Sequence, residues 1–184
     1  MVKIILEKAD IIPLLGEVFR RYGFDGTSIA LISEHTKLGK GSLYHFFPGG
    51  KDEMAKAVIA DIGDWFEANI FLPLEHNETD ALAKMFSAVE TYFKTGRRIC
   101  LIGALALVET RDRFAEEVKQ YFSRWIEILA THLVHLGHDK AQALQLATTT
   151  IAGIQGAIIV TQALDNEQYF TNIMQSLRQL NLRH

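Results

Sequence analysis

Apolar positions recur along this chain at intervals of three and four, and the alternation expected of β-strands is nearly absent. The first stripe, Ile11, Ile12, Leu14, Leu15, Val18, Phe19 and Tyr22, predicts a helix that begins near residues 10–12 and ends at Gly23. Pro13 then falls in its first turn, where a missing N–H does no harm. Thr27-Ser28 offers an N-cap to a short helix through about His35, and a four-residue link follows over residues 36–39. A second short helix covers about residues 40–47 and stops before Pro48-Gly49-Gly50. From Lys51 a long amphipathic helix carries Ala55, Val58, Ile59, Ile62, Trp65, Phe66 and Ile70 on one side. Asp52 and Glu53 sit in its first turn, where the helix dipole favours acids, and Pro73 is expected to close it.

Leu82, Met85, Phe86, Val89 and Phe93 mark the next helix, ended by Thr95-Gly96, and a short apolar run over residues 99–108 marks another. Phe114, Val118, Phe122, Trp125, Leu129, Leu133 and Leu136 predict a long helix ended by Gly137. Asp139 with Gln142, and Asp165 with Gln168, read as N-caps with an amide three residues on, opening two last helices through about Leu164 and Leu180. The first residues remain as an arm or short extra turn. The expected fold is all-α, with nine helices. Between Ile151 and Val160 the penultimate helix is apolar nearly all round, which one core-facing stripe does not explain. Gly153, Gly156 and Ala157 would let another helix approach closely, and Ile173, Leu177 and Leu180 supply a stripe on the last helix. Two such pairs predict a homodimer held by a four-helix bundle.

With 184 residues, 48% hydrophobic and 22% charged, the chain is globular and not disordered. Cys100 is the single cysteine, so an internal disulfide is out, and it reads as a small buried hydrophobe. Glu7 and Asp10 interrupt the N-terminal apolar run too early for a signal peptide. The apolar run 99–108, read as the longest, is half of the roughly 20 residues of a membrane helix, so a cytoplasmic setting without membrane is expected. A net charge of −3 argues against bulk attraction to nucleic acid. Residues 1–50 nevertheless carry +1 and the remainder −4, which marks the N-terminal end as the one that meets an anion.

Residues 27–47 have the form of a helix-turn-helix. Ile29, Ile32, Leu43 and Phe47 face inward, leaving Lys40, Ser42, Tyr44, His45 and Phe46 to point outward. A DNA major groove about 12 Å wide admits such a second helix led by its N-terminal residues. Gly39-Lys40-Gly41 brings a cation and backbone N–H groups to that end.

Residues 22–28, Tyr-Gly-Phe-Asp-Gly-Thr-Ser, and 40–51, Lys-Gly-Ser-Leu-Tyr-His-Phe-Phe-Pro-Gly-Gly-Lys, resemble the DNA-binding region of TetR-family transcriptional regulators. The resemblance covers roughly residues 11–60, and the chain length and later helices suit that family's nine-helix plan. It implies a DNA-binding domain over residues 1–50 and an effector-binding and dimerisation domain over 51–184, linked by the helix from Lys51. It further implies a homodimer that binds a palindromic operator in double-stranded DNA and releases it when a small molecule enters the larger domain. Thr27 and Ser28 would cap the first motif helix and touch phosphate. Lys40, Gly41 and Ser42 would meet base edges or phosphates, Tyr44 a phosphate, and His45 would lie along the groove. Lys51 would reach phosphate from the start of the long helix. Lys37 holds a turn position where the family often has glycine, so a left-handed conformation there costs ~1 kcal/mol.

Trp65, Phe66, Met85, Phe86, Phe93, Tyr121 and Trp125 are the candidate lining of an effector pocket. His132 and His135 have a spacing that metal sites use, but no acid or cysteine is placed to complete a set, so no metal is expected. There is no glycine-rich nucleotide loop, zinc motif or catalytic triad, so neither cofactor nor enzymatic activity is expected. On the residues alone two further readings stay open. One is a helical-bundle enzyme or small-molecule carrier without DNA binding. The other is a DNA-binding protein that answers to a protein partner.

Overall fold

The computed structural model describes residues 7–107 and 109–182, and all regular structure among them is helical. The expected N-terminal arm, residues 1–6, lies outside this range, as does Val108 at the end of the apolar run. Helix α1 is Lys8–Gly26, α2 Ile29–Thr36 and α3 Lys40–Phe46. Helix α4 begins as Gly50–Phe66, continues through the π-helical turn Glu67–Phe71 and ends in Leu72–Glu75. Helix α5 is Ala81–Tyr92 and α6 Leu101–Leu105; a 3₁₀ stretch, Glu109–Phe114, leads into α7, Ala115–His135. Helices α8, Lys140–Leu164, and α9, Gln168–Asn181, complete the nine.

The chain forms two compact units. Among the described residues, the first takes those up to Asp64 together with Leu101–Val118; the second takes Trp65–Cys100 and those from Lys119 on. This division differs from a cut at residue 50, because α4 belongs to the first unit as far as Asp64.

In the first unit Ile11, Leu15, Phe19, Ile32, Leu43 and Phe47 are buried, and α1 packs on α2 and α6. The stripe on α1 is one residue narrower than expected, since Leu14 is exposed. The helix starts earlier than its apolar pattern, at Lys8, because the Glu7 backbone N–H donates to Asp10 Oδ2 at 2.8 Å and caps it. Pro13 therefore lies just past the first turn. Gly23 breaks the helix with φ 68°, a conformation that costs glycine nothing.

In the second unit Pro73 does not end α4. The π turn before it resets the hydrogen-bond ladder, so the proline falls at the start of the last short α segment, where no N–H is needed. Asp139 caps α8 as expected, accepting from the N–H groups of Ala141 and Gln142. Asp165 does not cap α9. It closes α8 in a left-handed conformation and pairs with Arg97 at 2.9 Å, while Asn166 Oδ1 accepts from the Gln168 N–H. Gly96, at φ 86°, lies so close to α8 and α9 that a Cβ would stand 2.9 Å from Phe170 and Thr161.

Helix α8 is a longer apolar segment than residues 99–108, of whose described residues only Leu101–Leu105 are helical and Leu107 is exposed. Its mean hydropathy of 1.5 over 18 residues makes it long and apolar enough to cross a membrane by composition, with 39% of that window buried inside the protein. Against it lies α9. Gly153 admits Leu177, whose δ carbons stand 3.0 Å from where a Cβ would be, and Ala157 is fully buried.

Candidate nucleic-acid interface

Local hydrogen bonds hold the helix-turn-helix rigid. Ser28 caps α2 by accepting from the Leu31 N–H at 3.1 Å. Thr36 Oγ1 donates to Ile32 O at 2.8 Å, and Lys37 turns the chain at φ 60°, ψ 20°, the left-handed conformation expected there. His35 Nδ1 lies 2.9 Å from Leu31 O, which places the proton on Nδ1 and leaves Nε2 to accept from the Tyr22 hydroxyl at 3.1 Å. These bonds join α1 to α2 without using any residue of α3.

Leu43 and Phe47, both fully buried, anchor α3. On the opposite side Lys40, Gly41, Ser42, Tyr44 and His45 are exposed, and no described residue pairs with the Lys40 ammonium. Phe46 is half-buried under the His45 ring, at a centroid distance of 5.4 Å, and does not project freely. Tyr44 is 47% exposed, enough for its hydroxyl to reach a partner outside the chain.

Two of the residues implied for phosphate contact are occupied within the protein. Thr27 is buried and its hydroxyl donates to Gly23 O at 2.6 Å, so it braces the break in α1 while Ser28 alone does the capping. The Lys51 ammonium donates to Phe24 O at 2.9 Å and lies 4.3 Å above the Phe24 ring. It ties the start of α4 to the end of α1. Sequence reading missed three further ties: Arg113 to Asp52 at 2.8 Å, Lys56 to Glu117 at 3.4 Å and Lys8 to Glu53 at 3.0 Å. The Gly49 N–H and Lys8 both donate to Glu53 and hold its carboxyl below the ordinary value. Lys37 and Lys40, in the turn before α3 and at its start, are exposed cations without an ion pair among the described residues.

The aromatic candidates of the second unit gather around Phe66. Its ring lies 5.0 Å from Tyr92 and Tyr121, 5.1 Å from Trp125 and 6.2 Å from Phe93. Trp65 joins through Tyr92 at 4.5 Å. Tyr92 and Phe71 belong to this cluster and were not among the candidates. Phe71 follows Phe66 by five positions, and only the π turn puts both on the buried side. Met85 is buried as well, whereas Phe86 turns to a different pocket, beside His132 and Arg178. Two polar groups stand out in the aromatic cluster. Trp125 Nε1 has no hydrogen-bond partner, and the Tyr121 hydroxyl has only the Cys100 sulfur beside it. Burial, and then Cys100 and Tyr92, push the Tyr121 hydroxyl well above its ordinary pKa.

Of the residues expected at a dimer interface, Gly153, Ala157 and Leu177 are taken up in packing α8 on α9. Open space surrounds Gly156, and Leu180 is exposed, as are Ile159 and Tyr169 nearby on the same helices. Ile173 is half-buried.

Two short helices joined by a tight turn at Lys37, the second anchored from behind with its polar face exposed, form a helix-turn-helix. The family model for bacterial regulatory proteins of the tetR family matches residues 16–58. The model for the C-terminal domain of LmrA/YxaF-like transcriptional regulators matches residues 79–176. The chain belongs to the TetR family of DNA-binding transcriptional regulators, and these are not enzymes. It is 25% identical to the HTH-type transcriptional regulator YxaF of Bacillus subtilis over 157 residues, 82% of either chain. It is 23% identical to the regulator LmrA of the same organism over 158 residues, 81% of this chain and 82% of that one. A TetR transcriptional regulator from Legionella pneumophila has the same fold, with a TM-score of 0.80 at 21% identity over 96% of this chain and 98% of that one. So has a TetR-family regulator from Agrobacterium tumefaciens, with a TM-score of 0.77 at 19% identity over 94% and 95%.

Proposed function

We propose that this regulator is a cytoplasmic repressor that binds a palindromic operator as a homodimer and leaves it when a small molecule enters the aromatic cluster. The observation that carries the DNA-contact reading is the exposed set Lys40, Gly41, Ser42, Tyr44 and His45 on a helix pinned from behind by Leu43 and Phe47. Lys40 and Ser42 would meet base edges or phosphates, Tyr44 and Ser28 phosphates, and His45 the groove wall. Selecting bound sequences from random DNA tests this reading. The expected product is two inverted half-sites one helical turn apart, ~34–36 Å between centres, with binding that weakens steeply as salt rises.

The exposed apolar residues Ile159 and Leu180, with the open Gly156 between such positions, support a second copy of the chain as the occupant of that face. Because nothing lies within 4 Å of a Cβ at Gly156, a charged Gly156→Glu chain should fold normally. In sedimentation it should run at monomer mass where the parent runs as a dimer.

For the effector, the supporting feature is the buried Trp125 Nε1, which has no hydrogen-bond partner, beside a Tyr121 hydroxyl that has only the Cys100 sulfur, both among apolar rings. Helix α4 passes from the DNA-reading unit into the aromatic unit at Asp64–Trp65, so a ligand on Trp65 and Phe66 acts on a helix shared by both. Lowering operator affinity ~150-fold needs a ligand whose affinity differs by ~3 kcal/mol between the two states. Linkage makes the effect reciprocal. Titrating a candidate ligand with and without operator must give affinities that differ by the same factor, and equal affinities would rule that ligand out as the inducer.

A further inference from the structure

We propose that the second unit carries a binding site for small organic ammonium ions, separate from the aromatic cluster, between the turn after α4, helix α7 and the end of α9. A pocket of about 310 Å³ opens there, with Leu82, Phe86, Leu136 and Leu182 as its apolar wall. That volume is at the lower end for small-molecule sites.

Among the polar groups of the lining, His132 and Asp80 are the two that offer an acceptor. His132 is 5% exposed, and its Nδ1 lies 2.9 Å from Asn77 Oδ1 and 3.2 Å from Leu74 O. Both neighbours are acceptors, so Nδ1 carries the proton and Nε2 presents a lone pair. No described residue donates to Nε2. Burial lowers the His132 pKa, the Leu74 bond opposes that, and His135, 6.4 Å away, adds to the lowering. The ring is neutral at pH 7, and Nε2 stays an acceptor.

The charges around it leave one anion over. Glu78 is paired with Lys84 at 2.9 Å. Arg178, the cation of the lining, is held by Glu90 at 2.9 Å and rests 5.1 Å from the Phe86 ring centre. Asp80, on the same turn at φ 59°, has no ion-pair partner among the described residues. Its side chain does not cap α5 either. A ligand that donates hydrogen bonds, carries one positive charge and has a compact apolar body satisfies both Nε2 and the Asp80 carboxylate. A neutral alcohol satisfies only the first, and a carboxylate neither.

The site stands apart from the operator and effector readings, because its occupancy is measured on the protein alone. The probe is phenethylammonium, compared by calorimetry with the neutral 2-phenylethanol at about pH 7.5, where His132 is neutral. We expect one ammonium per chain, bound at least about ten-fold tighter than the alcohol. His132→Asn keeps a donor toward Leu74 O and Asn77 Oδ1 and removes the Nε2 acceptor. It should weaken the ammonium by about ten-fold, as should the exposed change Asp80→Asn, which leaves the core untouched. Leu136→Trp should fill the pocket and abolish binding. No binding of phenethylammonium at millimolar concentration, equal affinity for the alcohol, or full affinity in Asp80→Asn would overturn the proposal, whether or not His132→Asn folds.

Discussion

The two units treat polar side chains in opposite ways. In the first, almost every buried or half-buried polar group has a nearby partner: Thr27 with Gly23, Thr36 with Ile32, Tyr22 with His35, Lys51 with Phe24. Seven- and eight-residue helices are too short to hold themselves in water. They stay in place because caps and cross-ties fix their ends and two or three large apolar side chains fix their backs. The exposed face of α3 is then free of structural duty. In the second unit the long helices α7 and α8 need little local support, and Trp125 Nε1 and Tyr121 Oη sit among rings without a nitrogen or oxygen partner. Such groups cost about 1–3 kcal/mol each in a native core, a cost that a bound acceptor would relieve. A unit that presents a surface is thus built with its polar groups satisfied, and one proposed to receive a ligand keeps some of them in reserve.

The strongest way to break this contrast is Phe47→Ala. It removes the rear anchor of α3 and should cost about 3–5 kcal/mol in denaturant unfolding of the first unit. Operator binding should vanish with it, while the near-ultraviolet signal of the Trp125 cluster in the second unit persists. If operator binding survives, α3 is not held by its back.

The exposed and the internally tied lysines should separate next. Lys40→Ala should lower operator affinity by about 1–3 kcal/mol if it meets a guanine. If it meets phosphate, the loss should be uniform across sequences and reduce the salt slope by about one ion. Lys51→Ala should leave that slope nearly unchanged and lower stability, because its ammonium is bonded to Phe24 O. Equal slopes for the two variants would show that Lys51 also reaches DNA.

Trp125→Phe sharpens the other side of the comparison. An ordinary large-to-small change at a fully buried aromatic is destabilising, but this one also removes an unsatisfied N–H. The two effects oppose each other, and we expect a net change within about 1 kcal/mol by denaturant titration. A loss much larger than that would mean the N–H is satisfied.

The smallest effect is a pH dependence confined to the second unit. The folded pKa of His132 lies below 6.5, chiefly because burial disfavours the imidazolium. Between these values the unfolded chain takes up the proton and the folded chain does not. The contribution is therefore fully present above 6.5 and is lost as pH falls toward the folded value. Melting temperatures recorded from about pH 7.5 to pH 5 should fall more in the parent than in His132→Asn.

Most of the DNA-reading unit was legible in the sequence because its determinants are local. Ser28 before an apolar pair, Gly39 before Lys40, and Pro48-Gly49-Gly50 after Phe47 place the ends of two helices by chemistry that acts over three or four residues. The α-helical period alone also determined which residues of α3 face inward. What that period could not reveal was a change of period. The π turn Glu67–Phe71 let Pro73 fall inside α4 and carried Phe71 into the aromatic cluster, and both depend on the packing that makes a wider turn worthwhile. Tertiary structure alone decided the partners of charges distant in sequence. Arg113 meets Asp52 and Lys51 meets Phe24 across tens of residues, so nothing local to Lys51 in the sequence revealed the carbonyl that its ammonium holds. It also decided which small residues of α8 are used within the chain. Gly153 receives Leu177 and Gly156 faces open space, although the two are alike in sequence, because a glycine records only that something comes close and not what.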